Sequence, residues 1–139
     1  MLKTDFDIDL KFGEDGERWL TLLADEKTME VKRDRLWHKT GNLFFEYQCN
    51  GNKSGLAITK ADYFAVILSK RGANVATFIW RTDCLKSALR KILAEGKASK
   101  TELAGDGGRV SGLLVPLPML GLIAMFCADF EPPTDNAST

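Results

Sequence analysis

Residues 28–49 (TMEVKRDRLWHKTGNLFFEYQC) constrain the fold most, because they hold two strand-like runs on either side of a turn. The runs at 28–34 and 42–48 have period-two character, and their Val, Phe and Tyr residues favour strands. The residues between them include Gly and Asn, which favour turns. The pattern therefore predicts a β-hairpin with its loop at 35–41.

The predicted hairpin brings charged side chains together. With this loop, Glu30 lies opposite Glu46, and Lys32 is two residues along the same strand face. Opposed side chains on antiparallel strands share a face, with Cβ atoms roughly 5 Å apart. Two carboxylates that close favour a cation between them, and Mg²⁺ prefers such oxygen ligands. The alternatives are a solvated strand face with charged neighbours, or a register slipped by one residue, which would separate the two carboxylates.

The rest of the chain alternates helical and strand patterns. In order, these are a strand at 5–12, a helix at 13–25, a polar loop at 50–60, a strand at 61–68, a strand at 75–80, a helix from 82 or 83 to about 95, a loop at 97–109, a strand at 110–115 and a final helix or turn through residue 125. We predict an α/β fold in which helices flank a mixed β-sheet, with one domain at 1–130 and a disordered tail at 131–139.

Charge is balanced overall but uneven along the chain. The formal net charge is zero, which excludes a polycation that binds nucleic acid by bulk charge. Basic side chains gather at the predicted hairpin tip, and further lysines lie in the following polar loop. The candidate phosphate contacts are Arg33, Arg35, His38, Lys39, Lys53 and Lys60. Trp37 at the tip either stacks on an unpaired base or packs on its own strand.

Cysteine usage and hydropathy bear on the setting of the protein. The three cysteines are odd in number and widely spaced, which argues against a disulfide framework and favours a reducing, intracellular compartment. The N-terminus begins with charged residues, so we expect no signal peptide. The longest apolar stretch, 113–128, contains two prolines and is too short for a membrane span, so no membrane partner is expected.

The element order and the segments EVKRD, TGNLFFEY, SGLAITKADYF and GDGGRVSGLLVPL resemble the PD-(D/E)XK nuclease superfamily over roughly residues 5–120. The similarity is to small phage-type endonucleases and Holliday junction resolvases. It implies a restriction-endonuclease-like core, Mg²⁺ or Mn²⁺ as cofactor, DNA as substrate, including branched or junction DNA, and a homodimer. It also implies that Glu17, Glu30 and Glu46 hold the metal.

The sequence departs from the family pattern at two positions. Glu30 replaces the usual aspartate, and Gln48 stands where the family has lysine. Lys32 could supply that amine from the neighbouring strand, with Gln48 as a polar assistant and Asp34 as a further ligand candidate. The rival functions are a DNA-binding module without catalysis and a protein-interaction domain that uses the apolar C-terminal segment.

Overall fold

The protein has two β-sheets and four helices in the part of the chain that its computed structural model describes, residues 11, 13–21, 27–105 and 108–131. The elements, in chain order, are α1 (within which residues 13–21 are described), β1 (Met29–Asp34), α2 (Trp37–Thr40), β2 (Asn42–Cys49), β3 (Asn52–Lys53), a short 3₁₀ helix (Gly55–Ala57), β4 (Tyr63–Lys70), β5 (Ala73–Arg81), α3 (Thr82–Ala94), β6 (Ser99–Gly105), β7 (Gly108–Pro116) and α4 (Met119–Asp129).

The strands form one mixed sheet and one antiparallel sheet. The mixed sheet has three strands in the order β1-β4-β5, in which β1 runs parallel to β4 and β4 runs antiparallel to β5. The other sheet has four antiparallel strands in the order β3-β2-β7-β6. The predicted α/β class, with a mixed sheet and flanking helices, is confirmed.

The predicted hairpin between the first two strands is wrong. Glu30 pairs with Phe64 of β4, whereas Glu46 pairs with Gly112 of β7. The apolar β4 run is buried and takes neighbours on both sides, so β1 becomes its parallel partner. The chain is turned away after β1 because Asp34 Oδ1 accepts hydrogen bonds from two backbone N–H groups of the following turn, at 2.9 and 3.0 Å, and α2 fills the predicted loop.

The hydrophobic core draws on both sheets and on two helices. Its most deeply buried large side chains are Leu43, Phe45, Leu85, Leu89, Val115 and Ile123. Phe45 of β2 contacts Phe64 of β4 with ring centroids 6.0 Å apart, so the two sheets meet through aromatic side chains. The periodic apolar face that predicted a helix from 82 is the buried face of α3, and that helix is confirmed.

The region at 97–109 is a further correction, because it forms most of a β-hairpin rather than a loop. β6 and β7 pair from Ser99↔Leu114 to Gly105↔Gly108. The two residues that join them, Asp106 and Gly107, are the dipeptide favoured in two-residue hairpin turns, although they lie outside the described residues. β6 carries polar side chains because it is an outer strand of its sheet.

The chain ends are described in part. The predicted helix at 13–25 is confirmed at 13–21, and residues 22–25 lie outside the described part. The predicted strand at 5–12 also lies outside it, except for Lys11, which is helical. Of the predicted tail, residues 132–139 are likewise outside. No helix of the described chain is long and apolar enough to cross a membrane.

A disulfide joins Cys84 of α3 to Cys127 of α4, contrary to the expectation drawn from the cysteine count. The two cysteines are 43 residues apart, so their spacing in the sequence carries no local signal of pairing. The cysteine-based argument for a reducing compartment therefore loses its premise. Cys49 is the remaining thiol of the three.

Candidate functional site

A cavity of about 490 Å³ lies where the two sheets meet, and we call it the cleft. β1 contributes Lys32 and Asp34, and β2 contributes Glu46. Phe64 and Val66, both buried, form an apolar part of its wall. Basic and acidic residues from different sheets thus line one solvent-accessible space, next to an apolar wall that lowers the local dielectric constant.

Alternating residues of β1 place three charged side chains on one strand face. Glu30, Lys32 and Asp34 are two residues apart from one another and so point the same way. Lys32 Nζ lies 2.9 Å from Glu30 Oε1, with side chains 51% and 35% exposed. A pair this exposed adds little to stability, on the order of 0–1 kcal/mol. Its main effect is to hold the amine at the rim of the cleft.

Glu46, in the antiparallel sheet, is held in place by the close approach of the Gly55 backbone. Gly55, at the start of the 3₁₀ helix, has φ +51°, and a Cβ there would lie 2.5 Å from the carbonyl oxygen of Glu46. Only glycine tolerates both the conformation and the contact. The 3₁₀ helix therefore packs directly on β2 at Glu46 and brings Leu56 into the core.

A β-bulge in β2 separates Gln48 from Glu46. Glu46 pairs with Gly112 of β7, but Gln48 pairs with the adjacent residue, Ser111. Paired residues share a sheet face, and neighbours on a strand point to opposite faces, so Glu46 and Gln48 lie on opposite faces. The prediction that Gln48 assists beside Glu46 is wrong, because the bulge breaks the period of two.

The predicted cluster of Glu17, Glu30 and Glu46 has a different geometry from the expected one. Within the described residues, no three or more His, Cys, Asp or Glu side chains form a group that could hold a metal ion. Glu17 is exposed on α1. Asp34 lines the cleft together with Glu46, so these two carboxylates are the pair that the structure brings to one cavity. Carboxylate oxygens are the donor type that Mg²⁺ prefers.

The tip residues divide into structural and exposed groups. Trp37 packs against the core, and its Nε1 donates a hydrogen bond to the Ser69 carbonyl at 2.9 Å, which agrees with the packed alternative. Arg33 donates to the Gly72 carbonyl at 2.9 Å and to Asn74 Oδ1 at 3.0 Å. Arg35 lines the cleft. His38 and Lys39 are exposed on α2.

Two further cavities are lined by the other predicted lysines. The additional basic residues that line these cavities were not predicted from the sequence. Lys60 lines a cavity of about 460 Å³ at the beginning of α3, and Lys53 lines one of about 330 Å³ along the same helix. Lys86 of α3 contributes to both. The signal was present in the polar face of α3, where Lys86 and Arg90 are four residues apart and thus neighbours on the helix surface.

One carboxyl group near this helix has a perturbed pKa. Asp62 Oδ2 accepts hydrogen bonds from the Thr28 N–H at 3.2 Å and from the Thr28 hydroxyl at 3.0 Å. The backbone hydrogen bond, then the hydroxyl and the nearby charge of Lys27, hold the pKa of Asp62 below its usual value. The ionised carboxylate of Asp62 is therefore hydrogen-bonded to the segment that precedes β1.

Comparison with known proteins yields no matching family model, no matching curated protein and no matching solved structure.

Proposed function

We propose that the protein is a metal-dependent DNA endonuclease that hydrolyses phosphodiester bonds in the cleft. The observation that carries the proposal is that Lys32, Asp34 and Glu46 line one cavity of about 490 Å³. Carboxylates that bind a hard cation, beside an amine that neutralises phosphate charge, are what metal-assisted phosphodiester hydrolysis requires. Branched or junction DNA is the substrate class that the family resemblance suggests.

Each residue of the cleft has a distinct role in this proposal. Asp34 and Glu46 would hold Mg²⁺ or Mn²⁺, which when bound supplies Lewis-acid polarisation of the scissile phosphate. Asp34 uses Oδ1 for the turn after β1, so its other oxygen, Oδ2, would be the one to hold a metal. Lys32 stabilises the negative charge that builds up on the phosphate. Glu30 acts as a positioning residue, since its carboxylate holds the Lys32 amine at 2.9 Å.

The residues around the cleft complete the proposed substrate contacts. Arg35 lines the cleft, and Lys39 is exposed on the helix that follows it, so both can approach phosphates next to the scissile one. Glu17 remains a proposed third ligand on the strength of the resemblance alone. We also propose an intracellular setting, which rests on DNA as the substrate and not on cysteine usage, and a homodimer, which would present two clefts to the paired strands of a junction.

The decisive experiment is single-turnover cleavage of four-way-junction and linear duplex DNA with Mg²⁺ or Mn²⁺. We expect Lys32→Ala to lower the cleavage rate by about 10²–10³, because it removes a group aimed at charge in the transition state. DNA affinity should fall much less, since other phosphate contacts remain. Lys70→Ala, which removes an exposed lysine at the end of β4, is the matched control and should cut like wild type.

Two results would count against this assignment. If Lys32→Ala cuts as fast as wild type, Lys32 has no part in the chemistry. If Asp34→Asn and Glu46→Gln also leave the rate unchanged, the cleft is not the active site.

A DNA-binding module without catalysis is the second candidate. It is favoured by the position of Gln48, which replaces the usual lysine and faces away from Glu46. This candidate predicts that wild-type protein binds DNA but leaves it intact at any Mg²⁺ or Mn²⁺ concentration. A protein-interaction domain, the third possibility, would bind no DNA at all.

A further inference from the structure

Two cavities that share one lysine concentrate positive charge on a part of the surface to which α2 contributes no residue. The cavity of about 460 Å³ is lined by Lys27, Lys60 and Lys86, and the cavity of about 330 Å³ by Lys53, Lys86, Arg90 and Lys100. We call these six side chains the basic face. For a chain whose formal net charge is zero, this is a strong local excess of one sign.

The acidic side chains near the basic face are already engaged. Asp62 accepts two hydrogen bonds from Thr28, and Asp83 forms an ion pair with Arg81 at 2.7 Å and accepts from the Cys84 N–H. The cavity that contains Lys53 has no acidic residue among the described residues of its lining. Asp83 is offset by its ion pair with Arg81, and Asp62 keeps its negative charge beside Lys27, so Lys60 and Lys86 leave the larger cavity with an excess of positive charge.

A buried hydroxyl next to the larger cavity lacks a hydrogen-bond partner in the part of the chain that the structure describes. Thr82, the first residue of α3, lines the larger cavity and is 6% exposed. Its Oγ1 has no hydrogen-bond partner within the described chain. Buried hydroxyls are normally paired, and because this oxygen is shielded from solvent, a phosphate oxygen in the cavity would pair it only after rotation of the Thr82 side chain. The start of a thirteen-residue helix adds a partial positive charge at the same point.

The segments that form the larger cavity are fixed to one another. The Thr82 N–H donates to the Asp62 carbonyl at 2.9 Å, and the Tyr63 N–H donates to the Thr28 carbonyl at 3.0 Å. Lys86 Nζ lies 3.4 Å from the carbonyl of Thr59. The chain before β1, the turn before β4 and the start of α3 thus form one preorganised site, which reduces the entropic cost of binding.

We propose that the basic face binds the phosphodiester backbone of DNA. The two adjacent cavities suit successive phosphates along a strand, and contacts of this kind carry affinity without reading sequence. Phe45 and Leu56, both buried, line the smaller cavity as well as the cleft. The inference rests on the proposed function in taking DNA as ligand, and it adds where most of the backbone contacts are made.

The test is DNA binding measured by fluorescence anisotropy in EDTA, where no cleavage occurs, over a salt series on the order of 50–200 mM. For Lys86→Ala/Arg90→Ala, loss of two phosphate contacts should reduce the slope of log K against log salt by about 1.8, with affinity weakened roughly 10-fold or more at about 100 mM salt. Alanine is the best helix former, so α3 should persist. Lys70→Ala/Lys97→Ala removes the same charge from elsewhere on the surface and should leave the slope unchanged.

A second variant tests the larger cavity with inorganic pyrophosphate as probe. Thr82→Val removes an unpaired buried hydroxyl, so the melting temperature should stay the same or rise, because no hydrogen bond is lost. Pyrophosphate binding, measured by calorimetry, should nevertheless weaken. A purely structural role for Thr82 would leave pyrophosphate binding unchanged, and that result counts against the site.

The remaining outcomes separate this inference from the proposed function. Equal slopes for the basic-face variant and its control overturn the inference, even if wild type cuts DNA. Binding of pyrophosphate without binding of DNA also overturns it, since the site would then take free phosphates. DNA binding that depends on the basic face but leads to no cleavage supports the inference and contradicts the nuclease proposal.

Discussion

Single residues around the cleft are positioned by contacts with main-chain atoms that lie far away in the sequence. Arg33 donates to the Gly72 carbonyl, and Trp37 donates to the Ser69 carbonyl, 39 and 32 residues away. From the sequence alone, a basic and aromatic turn indicates contact with nucleic acid. The residues near the turn do not indicate that distant main-chain carbonyl groups accept its hydrogen bonds. The charge pattern of Glu30, Lys32 and Asp34 on one strand face, in contrast, follows directly from the period of two and could be predicted.

Gly55 offers a direct test of how Glu46 is held. We expect Gly55→Ala to lower the free energy of unfolding by about 1–3 kcal/mol, because the new methyl group meets the Glu46 carbonyl at a positive φ. Gly96→Ala is the matched control: its φ is +74°, but nothing lies within 4 Å of the added Cβ, so only the backbone cost of about 1–2 kcal/mol applies.

Urea unfolding of both glycine variants, followed by cleavage assays of the folded proteins, measures stability and site geometry separately. If the cleft is the active site of the proposed nuclease, Gly55→Ala should also cut DNA more slowly than Gly96→Ala, since the displaced backbone belongs to Glu46. Equal losses of stability in the two variants would mean that the close approach at Gly55 has no energetic consequence.

At the level of helices and strands, most elements could be predicted, but the pairing of the strands could not. The apolar runs of β4 and β5 and the periodic α3 are explicit in the sequence. The sequence does not show which strand pairs with β1, because a period-two pattern defines the two faces of a strand but not its neighbour in the sheet. The parallel pair of β1 and β4 depends on the buried position of β4 and on a turn built around Asp34.

Asp62, just before β4, accepts hydrogen bonds from Thr28, just before β1, and so stabilises the start of this parallel pair. The stability of the pair therefore depends on pH. The pKa of Asp62 is lowered in the folded state, chiefly by the Thr28 N–H. Stabilisation from the ionised form is therefore fully present above the ordinary aspartate pKa of about 3.9 and is lost as the pH falls through the lower folded value. We expect wild type to exceed Asp62→Asn in stability by a constant amount between about pH 5 and 7.

That difference should shrink below about pH 4, where the unfolded state first takes up the proton. Urea unfolding from about pH 3 to 7 measures it. In a Thr28→Val background the destabilisation caused by Asp62→Asn should be smaller at every pH, because the hydroxyl donor is gone while the N–H remains. A difference that persists undiminished at about pH 3 contradicts the assignment to Asp62 ionisation.

Across the whole molecule, long-range links join regions that the sequence presents as separate. Phe45 and Phe64 join the two sheets, and the disulfide joins α3 to α4. The basic face likewise draws lysines from before β1, from β3 and from β6 onto the surface around α3. The class of fold follows from local patterns, whereas the cleft and the basic face arise only when these segments are brought together.

The disulfide should be a measurable part of the stability of the whole domain. A cross-link between residues 43 apart restricts the unfolded chain and typically contributes about 2–4 kcal/mol. We expect Cys84→Ala/Cys127→Ala to lower the melting temperature by roughly 10 °C.

Because Cys84 is buried, the cavity left by the substitution also contributes to this loss, and a reductant separates the two causes. Dithiothreitol should lower the melting temperature of wild type and of Cys49→Ala, but leave the double variant unchanged. If dithiothreitol has no effect on wild type, the two thiols are not cross-linked in solution, and α4 is held on α3 by packing alone.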